Sequence, residues 1–299
     1  MVQLLILSGK GGTGKTTVAG AFIELSAAKA YGDCDVDAPN LHLIMPQQTD
    51  AVKSDFYGLP KAGIDTGLCV RCDFCRQSCR FDAIDNDNDY TVNPFACEGC
   101  GVCEYVCPAG AITMNPAVSG ELILYTNNSV FSTAHLKMGS GNSGKLVSEV
   151  KKQMLSAAAN AEFAVVDGSP GIGCPVIASI SGADMVLIVA EPSVSGISDV
   201  KRIVETSKSF GVQLALCINK YDINMTNTQS IEAYCIKAGI DFVGKIPFDP
   251  QAVEAVNSGK NITDFDCLAG RAVREVYSRT VQLLMAGEKG VKYAHKGIG

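Results

Sequence analysis

The fold of this chain is decided by VQLLILSGKGGTGKTT, at residues 2–17. The aliphatic run Val2–Leu7 predicts a buried strand, and a glycine-rich loop follows it directly. The loop GKGGTGKT, residues 9–16, fits the pattern G-x-x-x-x-G-K-[ST], in which backbone N–H groups turn inward around phosphate oxygens. A helix is expected from about Gly14, and its positive dipole end would face the same phosphates. The stretch therefore predicts a strand, a phosphate-binding loop and a helix in immediate succession.

Beyond this stretch, apolar runs alternate with amphipathic stretches, which predicts an α/β fold with a mostly parallel sheet and helices on both faces. The further predicted strands are Ala30–Gly32, Glu121–Tyr125, Val130–Thr133, Phe163–Val166, Met185–Ala190, Gln213–Ile218 and Phe242–Ile246. The predicted helices are Gly144–Ala159, Ile197–Phe210, Thr228–Ala238, Pro250–Ser258 and Ala269–Met285. Together with the phosphate loop, this alternation predicts a P-loop NTPase fold.

Eight of the thirteen cysteines fall into two runs with the same spacing, C-x2-C-x2-C-x3-C. This spacing is typical of cubane iron–sulfur clusters, and the fourth cysteine of each run ligates the other cluster. The two predicted [4Fe-4S] clusters therefore have the ligand sets Cys69, Cys72, Cys75 and Cys107, and Cys97, Cys100, Cys103 and Cys79. Two zinc sites are the alternative, but zinc favours pairs of C-x2-4-C knuckles over triplets with a distant fourth cysteine.

The alternation of strands and helices breaks in the cysteine-rich region. CRFDAI at residues 79–84 is followed by a similar CPAGAI at residues 107–112, so one supersecondary unit is duplicated. We expect residues 59–113 to form a small α+β ferredoxin-like domain, inserted into a P-loop domain made of residues 1–58 and 114–299. Such a small domain has little core of its own, so cluster binding must supply much of its stability.

The composition is that of a globular protein, with 299 residues, 47% hydrophobic and 19% charged, and a formal net charge of −6. The negative balance argues against duplex-DNA binding, so no nucleic-acid partner is expected. No apolar run approaches the roughly 18 residues needed to cross a bilayer, and the last predicted helix lacks a basic apolar end, so no membrane anchor is expected. Many cysteines without an export signal indicate a reducing compartment, which we take to be the cytoplasm.

Lys10 adds a second lysine to the phosphate loop, which then resembles the deviant Walker A motif of the MinD, ParA and nitrogenase iron protein family. DCDVDAPNL at residues 33–41 resembles the switch I segment of that family, and DGSPGIG at residues 167–173 resembles its Walker B and switch II segment. Asn219-Lys220 is similar to the adenine-recognition position, and the PFD sequence at residues 247–249 is similar to the loop that closes over the base. The chain is most similar to the subgroup with an inserted ferredoxin domain.

The resemblance implies a chain that binds ATP with Mg²⁺, dimerises and hydrolyses the nucleotide. In that family the extra lysine, here Lys10, reaches across a dimer interface to the partner's nucleotide, and Asp35 positions the attacking water. In a phosphate loop of this pattern, Lys15 is expected to contact the β- and γ-phosphates, and the Thr16 hydroxyl is expected to bind Mg²⁺. Asp167 ends an apolar strand and would hold the same ion through water. The candidate nucleotide-binding residues are Gly9, Gly11, Gly12, Thr13, Gly14, Lys15, Thr16, Thr17, Asn219, Lys220, Pro247 and Asp249.

The leading interpretation is an ATPase whose nucleotide-driven dimer switch is coupled to assembly or delivery of a metal cofactor or iron–sulfur cluster. One alternative is ATP-gated electron transfer to a partner protein. Another is a surface-positioning ATPase of the ParA or MinD kind, and a third is a nucleotide sensor without hydrolysis. The partner in the dimer is this chain or a paralogue, and a metal-cofactor or redox protein is expected as a further partner.

Four positions carry smaller expectations. Arg80 stands where the second cysteine run has proline, and its positive charge predicts the higher reduction potential for the cluster that includes Cys79. Ser169 stands where many relatives have proline and is expected to loosen switch II slightly. Cys174 is interpreted as a small buried residue in preference to an interface-cluster ligand. The SGNSGK stretch at residues 140–145 is either a flexible loop with an N-cap or an anion site at a helix start.

Overall fold

The computed structural model describes residues 1–294, and side chains as far as residue 286. Within this part of the chain the strands are β1 (Val2–Leu7), β2 (Ala30–Asp33), β3 (Val52–Tyr57), β4 (Lys61–Ile64), β5 (Ile84–Asp85), β6 (Thr91–Val92), β7 (Ile112–Asn115), β8 (Val118–Thr126), β9 (Val130–Leu136), β10 (Phe163–Asp167), β11 (Met185–Ala190), β12 (Gln213–Asn219) and β13 (Asp241–Ile246). The α-helices are α1 (Lys15–Ser26), α2 (Leu41–Ile44), α3 (Phe74–Ser78), α4 (Val102–Tyr105), α5 (Ser143–Ala157), α6 (Cys174–Ile180), α7 (Val194–Lys208), α8 (Met225–Ala238), α9 (Pro250–Asn257) and α10 (Leu268–Ala294). Short 3₁₀ turns lie at Tyr221–Ile223 and Ile262–Asp264.

Nine strands form one sheet in the order β13-β12-β11-β1-β10-β2-β9-β8-β3. Neighbours from β13 to β9 run parallel, whereas β8 is antiparallel to β9 and β3 is antiparallel to β8. The predicted α/β fold with a mostly parallel sheet is therefore confirmed. Because β1 lies between β10 and β11, the loop after β1 opens at the carboxyl edge of the sheet, where ligand sites of such folds lie.

Strand β1 shows how the sequence buries both faces of the sheet. Leu5 and Leu7 pack into the apolar cluster formed with α5, α6, α7 and α8. Leu4 and Ile6 pack into the opposite cluster, formed with α1, α9 and α10. All four side chains are fully buried. Since successive side chains point to opposite faces of a strand, a continuous apolar run suits a sheet that is covered on both sides.

The five predicted helices are all present, with shifted ends. α7 and α8 begin earlier than predicted, because Ser193 and Asn224 cap them by accepting hydrogen bonds from nearby backbone N–H groups. α10 continues to Ala294, beyond the predicted end at Met285. The last five residues, 295–299, lie outside the described part of the chain. Among the described helices, none is long and apolar enough to cross a bilayer.

The sequence patterns miss β3, α2 and α6. β3 buries only Phe56, so its sequence shows no apolar alternation. α2 has four residues and α6 has seven, and both are too short to display a helical period. α6 begins at Cys174, directly after the glycine-rich stretch of residues 167–173, so this helix borders the predicted switch II.

The cysteine-rich unit leaves the main sheet after β3 and rejoins it at β8, and its strand β7 continues to Asn115, beyond the predicted bound at residue 113. β4 pairs with β7 and β5 pairs with β6, each in antiparallel register. The buried members of its own apolar cluster are Ala62, Cys75, Ala83, Ile84, Cys97 and Ile112. Two of these six residues are cysteines, so the unit has a thin aliphatic core.

Candidate functional site

The phosphate loop holds its shape through glycines with left-handed backbone conformations. Gly12 has φ 78° and Gly14 has φ 88°, angles that other residues rarely adopt. A Cβ at Gly14 would also lie 2.2 Å from the Asn219 side-chain nitrogen, so this position has no room for a side chain. At Gly11 and Gly12, by contrast, an added Cβ would meet no atom within 4 Å, and the loop faces open space there. The sequence thus folds into a tight loop, and no other atoms of the described residues fill the space beside Gly11 and Gly12.

Lys15, Thr16 and Asp167 form one hydrogen-bonded group at the start of α1. Lys15 Nζ lies 2.5 Å from one carboxylate oxygen of Asp167, and the Thr16 hydroxyl donates to the other over 2.7 Å. Asp167 is fully buried at the end of β10. Burial acts to lower the pKa of Lys15, but the charge and hydrogen bond of Asp167 outweigh it, and the pKa is raised. Lys15 is therefore held in its charged form.

Asp33 is a structural residue of the site that sequence reasoning missed. It ends β2, is fully buried, and its carboxylate accepts hydrogen bonds from the backbone N–H groups of Asp35, Asn40 and Leu41, each over 3.0 Å. Burial raises its pKa to about 7, and the nearby charge of Asp167 acts in the same direction. The carboxylate fixes the turn of the predicted switch I segment. Its position at the carboxyl end of a strand was the available signal.

Asp35 and Asp37 lie beside the phosphate loop and line the same cavity. Burial raises the pKa of Asp35, while the Lys15 charge opposes the shift. The buried Ser169 hydroxyl donates a hydrogen bond to the carbonyl of Cys34, the residue before Asp35. The expectation that Ser169 loosens switch II is therefore wrong for this state, because its side chain ties switch II to switch I.

Lys10 turns away from the cavity and pairs with Glu191, a residue that sequence reasoning missed. Lys10 Nζ lies 2.8 Å from one Glu191 carboxylate oxygen, and Lys220 Nζ lies 3.2 Å from the other. Partial burial acts to raise the pKa of Glu191, but the hydrogen bonds from Lys10 and Lys220 hold it below its usual value. Lys10 also donates to the Ser193 hydroxyl over 3.1 Å. One carboxylate therefore joins the lysine of the phosphate loop to that of the predicted base-binding segment.

The predicted base-binding residues share a cavity of about 710 Å³ with the phosphate loop, and Asn219 and Lys220 donate hydrogen bonds to the loop carbonyls of Thr13 and Gly12. Asn219, Lys220, Pro247 and Asp249 all line it, as do the phosphate-loop candidates from Gly11 to Thr17. The Asp249 carboxylate is already engaged, since it accepts hydrogen bonds from two backbone N–H groups and caps α9. Of the predicted nucleotide-site residues, Gly9, Lys10 and Asp167 are not part of the cavity lining.

The residues present fit a nucleoside triphosphate with Mg²⁺. The Thr13 hydroxyl is buried at the centre of the phosphate loop and has no hydrogen-bond partner within the described structure. An orphaned donor beside open backbone N–H groups is what a phosphate oxygen would satisfy. The hard oxygen donors that Mg²⁺ favours are present at Thr16 and Asp167.

The eight cysteines of the two runs line two small cavities of the cysteine-rich unit. One is lined by Cys69, Cys72, Cys75 and Cys107, and the other by Cys79, Cys97, Cys100 and Cys103. Each cavity thus combines three thiols of one run with the last thiol of the other, as in the predicted crossed sets. In the part of the chain that the structure describes, no three His, Cys, Asp or Glu residues are grouped to hold a single metal ion. The soft thiol donors surround a space, which fits a polynuclear cluster.

Three further positions that the sequence analysis singled out are Cys174, Arg80 and the SGNSGK stretch. Cys174 is exposed, so its interpretation as a small buried residue is wrong; it follows a glycine-rich turn at the surface. Arg80 is exposed next to Cys79. In the SGNSGK stretch, Asn142 precedes α5 but makes no side-chain capping hydrogen bond.

Comparison with known proteins groups this chain with nucleotide-binding proteins. Residues 4–262 match the family described as CobQ/CobB/MinD/ParA nucleotide binding domain. The uncharacterized protein MJ0578 of Methanocaldococcus jannaschii is 30% identical over 288 residues, which cover 95% of this chain and 98% of that protein. An iron-sulfur cluster carrier protein of Pyrococcus horikoshii is 24% identical over 306 residues, covering 94% of this chain and 86% of the relative.

Two further proteins are similar to this chain, one over a short stretch and one over nearly its whole length. Ferredoxin-1 of Caulobacter vibrioides is 44% identical over 52 residues, 16% of this chain and 46% of that protein. The septum site-determining protein MinD of Pyrococcus horikoshii, solved with Mg-ADP, superimposes with a TM-score of 0.58 at 17% identity, covering 96% of this chain and 98% of that one. At this identity the likeness shows the fold alone, and that fold is a P-loop NTPase.

Proposed function

Since the chain belongs to the CobQ/CobB/MinD/ParA family of nucleotide-binding domains, we propose that it is a Mg²⁺-dependent ATPase that carries two [4Fe-4S] clusters. Its nucleotide-driven dimer switch serves the assembly or delivery of an iron–sulfur cluster or another metal cofactor. The observation that carries the proposal is the presence, in one chain, of a phosphate loop with an orphaned hydroxyl and of two cavities that each gather four thiols.

Residues of the nucleotide site divide the work of phosphoryl transfer. Lys15 neutralises charge on the β- and γ-phosphates, and Thr16 and Asp167 hold Mg²⁺, which supplies further charge neutralisation. Asp35 faces the same cavity and orients the attacking water. Because phosphoryl transfer depends on in-line positioning more than on a strong base, a partly buried carboxylate is sufficient for this role.

Lys10 gives the dimer switch a physical basis. In the single chain it is held by Glu191, and it cannot reach a partner's nucleotide while that ion pair persists. The Lys10 side chain is 36% exposed, and Lys220 stays paired with Glu191 when Lys10 leaves, so breaking the ion pair costs about 1 kcal/mol. The γ-phosphate of a nucleotide across the interface then offers Lys10 a stronger anion than Glu191.

Cluster assembly or delivery is the function that the relatives support for the cysteine-rich unit. A full-length relative is named an iron-sulfur cluster carrier protein, and a short stretch is similar to a ferredoxin. The eight thiols of this chain are divided into two complete sets of four, which suits clusters that are held in the protein. We infer that these clusters donate electrons to, or help recognise, the acceptor of the delivered cofactor.

The test combines three measurements on chain purified without oxygen. We expect about eight irons and eight acid-labile sulfides per chain, Mg²⁺-dependent ATP hydrolysis, and activation of an apo-acceptor protein that increases with ATP. The Lys10→Ala and Asp35→Ala variants should retain iron and lose ATP-dependent activation. Absence of sulfide, or activation of the acceptor that is the same without ATP, would contradict the proposal.

ATP-gated electron transfer is the second candidate, and the exposure of two thiols favours it. Cys72 and Cys100 are exposed, one at each four-cysteine cavity, so each cluster would have an edge open to a redox partner. Stopped-flow reduction of an electron acceptor separates the candidates. Electron flow that does not depend on ATP would eliminate gating, while leaving delivery intact.

A further inference from the structure

The segment of residues 136–145, which runs from the last residue of β9 into the first turn of α5, has no role in the proposed chemistry. It contains the SGNSGK stretch. Asn142 adopts a left-handed conformation with φ 72°, and it makes no side-chain capping bond to α5. A side-chain helix cap therefore does not account for its sequence. Its neighbours, however, belong to both halves of the molecule.

One set of neighbours belongs to the nucleotide site. The backbone N–H of Leu136 donates to the carbonyl of Val36 over 2.9 Å, and Val36 is the residue after Asp35. At the other end, a Cβ added to Gly144 would lie 3.1 Å from the carbonyl oxygen of Cys174 and 3.2 Å from its Cβ. Cys174 directly follows switch II. The segment therefore contacts switch I at one end and the helix after switch II at the other.

The second set of neighbours belongs to the cysteine-rich unit. A Cβ at Gly139 would lie 3.8 Å from the Phe95 ring, and one at Gly141 would lie 3.9 Å from a carboxylate oxygen of Glu98. Phe95 and Glu98 flank Cys97. Glu98 also lines the cavity that gathers Cys97 with the other three thiols of its set. The middle of the segment therefore lies against one wall of that cavity.

We propose that residues 136–145 couple the nucleotide state to the four-cysteine cavity lined by Cys79, Cys97, Cys100 and Cys103, and to that cavity more strongly than to the other. This inference rests on the proposed binding of ATP. When the switches move around a γ-phosphate, the backbone at Val36 and Cys174 moves with them. Gly144 allows α5 and α6 to touch without an intervening side chain, so a shift of α6 is passed to the segment and on to Phe95 and Glu98.

Hydrogen exchange of the complete, cluster-loaded chain tests the coupling, with the Asp35→Ala background used to hold ATP unhydrolysed. With Mg-ATP we expect peptides from the phosphate loop to become protected. Peptides covering residues 93–104 should change in exchange rate by about fivefold or more, the size of a typical coupling between sites. Peptides covering residues 65–76, around the other thiol set, should change much less.

Two variants, each with a control variant, are made in the Asp35→Ala chain to test whether the coupling runs through residues 136–145. Gly144→Ala places a methyl against the Cys174 backbone and should abolish the response of residues 93–104, whereas Lys152→Ala, at an exposed position of the same helix, should preserve it. Phe95→Ala removes the contact on the other side. Its control is Tyr105→Ala, since Tyr105 is 91% exposed. Because Phe95 is itself largely exposed, its variant keeps the test valid if Gly144→Ala fails to fold.

The outcomes separate the coupling from the proposed function. Protection of the phosphate loop without a change at residues 93–104, or a change that survives both Gly144→Ala and Phe95→Ala, overturns the coupling and leaves ATP binding in place. No protection anywhere on adding Mg-ATP overturns both. A response at residues 93–104 that is lost in the two variants and kept in the two controls supports the proposed route.

Discussion

The nucleotide site and the cysteine-rich unit satisfy their polar groups in opposite ways. In the nucleotide site, Lys15 and Thr16 bond to the buried Asp167, and Lys10 bonds to Glu191. These charged groups are paired within the protein, and the buried Thr13 hydroxyl is left without a partner in the described structure. In the cysteine-rich unit, eight thiols gather in two cavities around a thin apolar core. The first region is held by its own ion pairs, whereas the second is expected to depend on the proposed clusters.

This difference follows from the size of the two cores. The nine-stranded sheet is covered by helices on both faces and can hold charged residues in fixed positions. The cysteine-rich unit has six buried residues in its cluster, and two of them are proposed ligands. Small units of this kind need metal to supply folding energy. Stability should therefore respond to cluster loss in one region and to charge deletion in the other.

Loss of a cluster ligand should have the largest effect. Cys97 is both a proposed ligand and a member of the buried core, so Cys97→Ser should reduce iron from about eight to about four or fewer atoms per chain. The cysteine-rich unit should then become sensitive to protease while the sheet region stays resistant. Iron analysis and limited proteolysis with mass spectrometry measure both effects.

Cys174→Ser is the matched control, because Cys174 is exposed and lies outside both thiol sets. Its iron content and protease pattern should equal those of the wild type. A Cys97→Ser chain with full iron, or a cysteine-rich unit that stays resistant after complete iron removal, would contradict the contrast drawn between the two regions.

Substitution of the two lysines of the phosphate loop should affect the free energy of unfolding differently but ATP turnover similarly. Lys15 is 5% exposed and pairs with a fully buried Asp167, so Lys15→Ala should cost about 3–5 kcal/mol of unfolding free energy by leaving a buried charge unpaired. Lys10→Ala should change stability by about 1 kcal/mol, because the Lys10 side chain is 36% exposed and Lys220 still pairs with Glu191 after the substitution. Both variants should lose about 10²-fold or more in ATP turnover.

Denaturant unfolding and an ATPase assay on the same preparations provide the comparison. Equal stability losses for the two lysine variants would show that the site is not organised around the buried Lys15–Asp167 pair. Unchanged turnover in Lys10→Ala would remove the second lysine from the chemistry.

A smaller effect, on ATP-dependent dimerisation, is expected when the Lys10 ion pair is weakened by substitution of its partner Glu191. Glu191→Gln keeps the shape of the side chain but removes the charge that holds Lys10 and Lys220. Lys10 should then reach a partner's nucleotide more easily, and ATP-dependent dimerisation should need up to about fivefold less ATP. Light scattering against ATP concentration measures the shift, and a higher ATP requirement would assign Glu191 an active role in the dimer.

The smallest expected effect is on a reduction potential. Arg80 is exposed beside Cys79, so its charge is screened and interacts by no more than about 1 kcal/mol. Arg80→Gln and Arg80→Pro should lower the potential of one cluster by roughly 40 mV or less, because positive charge favours the reduced form. Arg80→Lys should leave it unchanged. Two unaltered potentials in a redox titration of Arg80→Pro would contradict this expectation.

The fold was predictable because its strongest signals are local. Residues 4–7 before the phosphate loop are continuously apolar, and the strands near the sheet centre are rich in apolar residues, so both their existence and their parallel pairing follow from sequence. β3 escaped because an edge strand with a single buried residue, Phe56, has no alternation. α6 was not predicted because a helix of seven residues after a glycine-rich turn is too short to show a helical repeat of apolar residues.

The side-chain partners at the site were not predictable in the same way. Nothing in the chain near Lys10 indicates that Glu191 is its counter-ion, since the two are brought together only by strand order. Asp249 lines the predicted nucleotide cavity, but its second role, capping α9, was not visible in the sequence. Ser169 looked like a loosened switch and instead bonds across to Cys34. Long-range contacts of this kind depend on the finished topology.

The cysteine-rich unit begins and ends at two hydrogen-bonded neighbours, β3 and β8. Tyr57 pairs with Val118 at the last rung, and β4 and β7 continue as a second antiparallel pair from Lys61 opposite Asn115. The unit is thus an extended tip of a hairpin at the sheet edge. A cysteine-rich module can be gained or lost there by one insertion or deletion in a gene, without cutting through any part of the nucleotide-binding core.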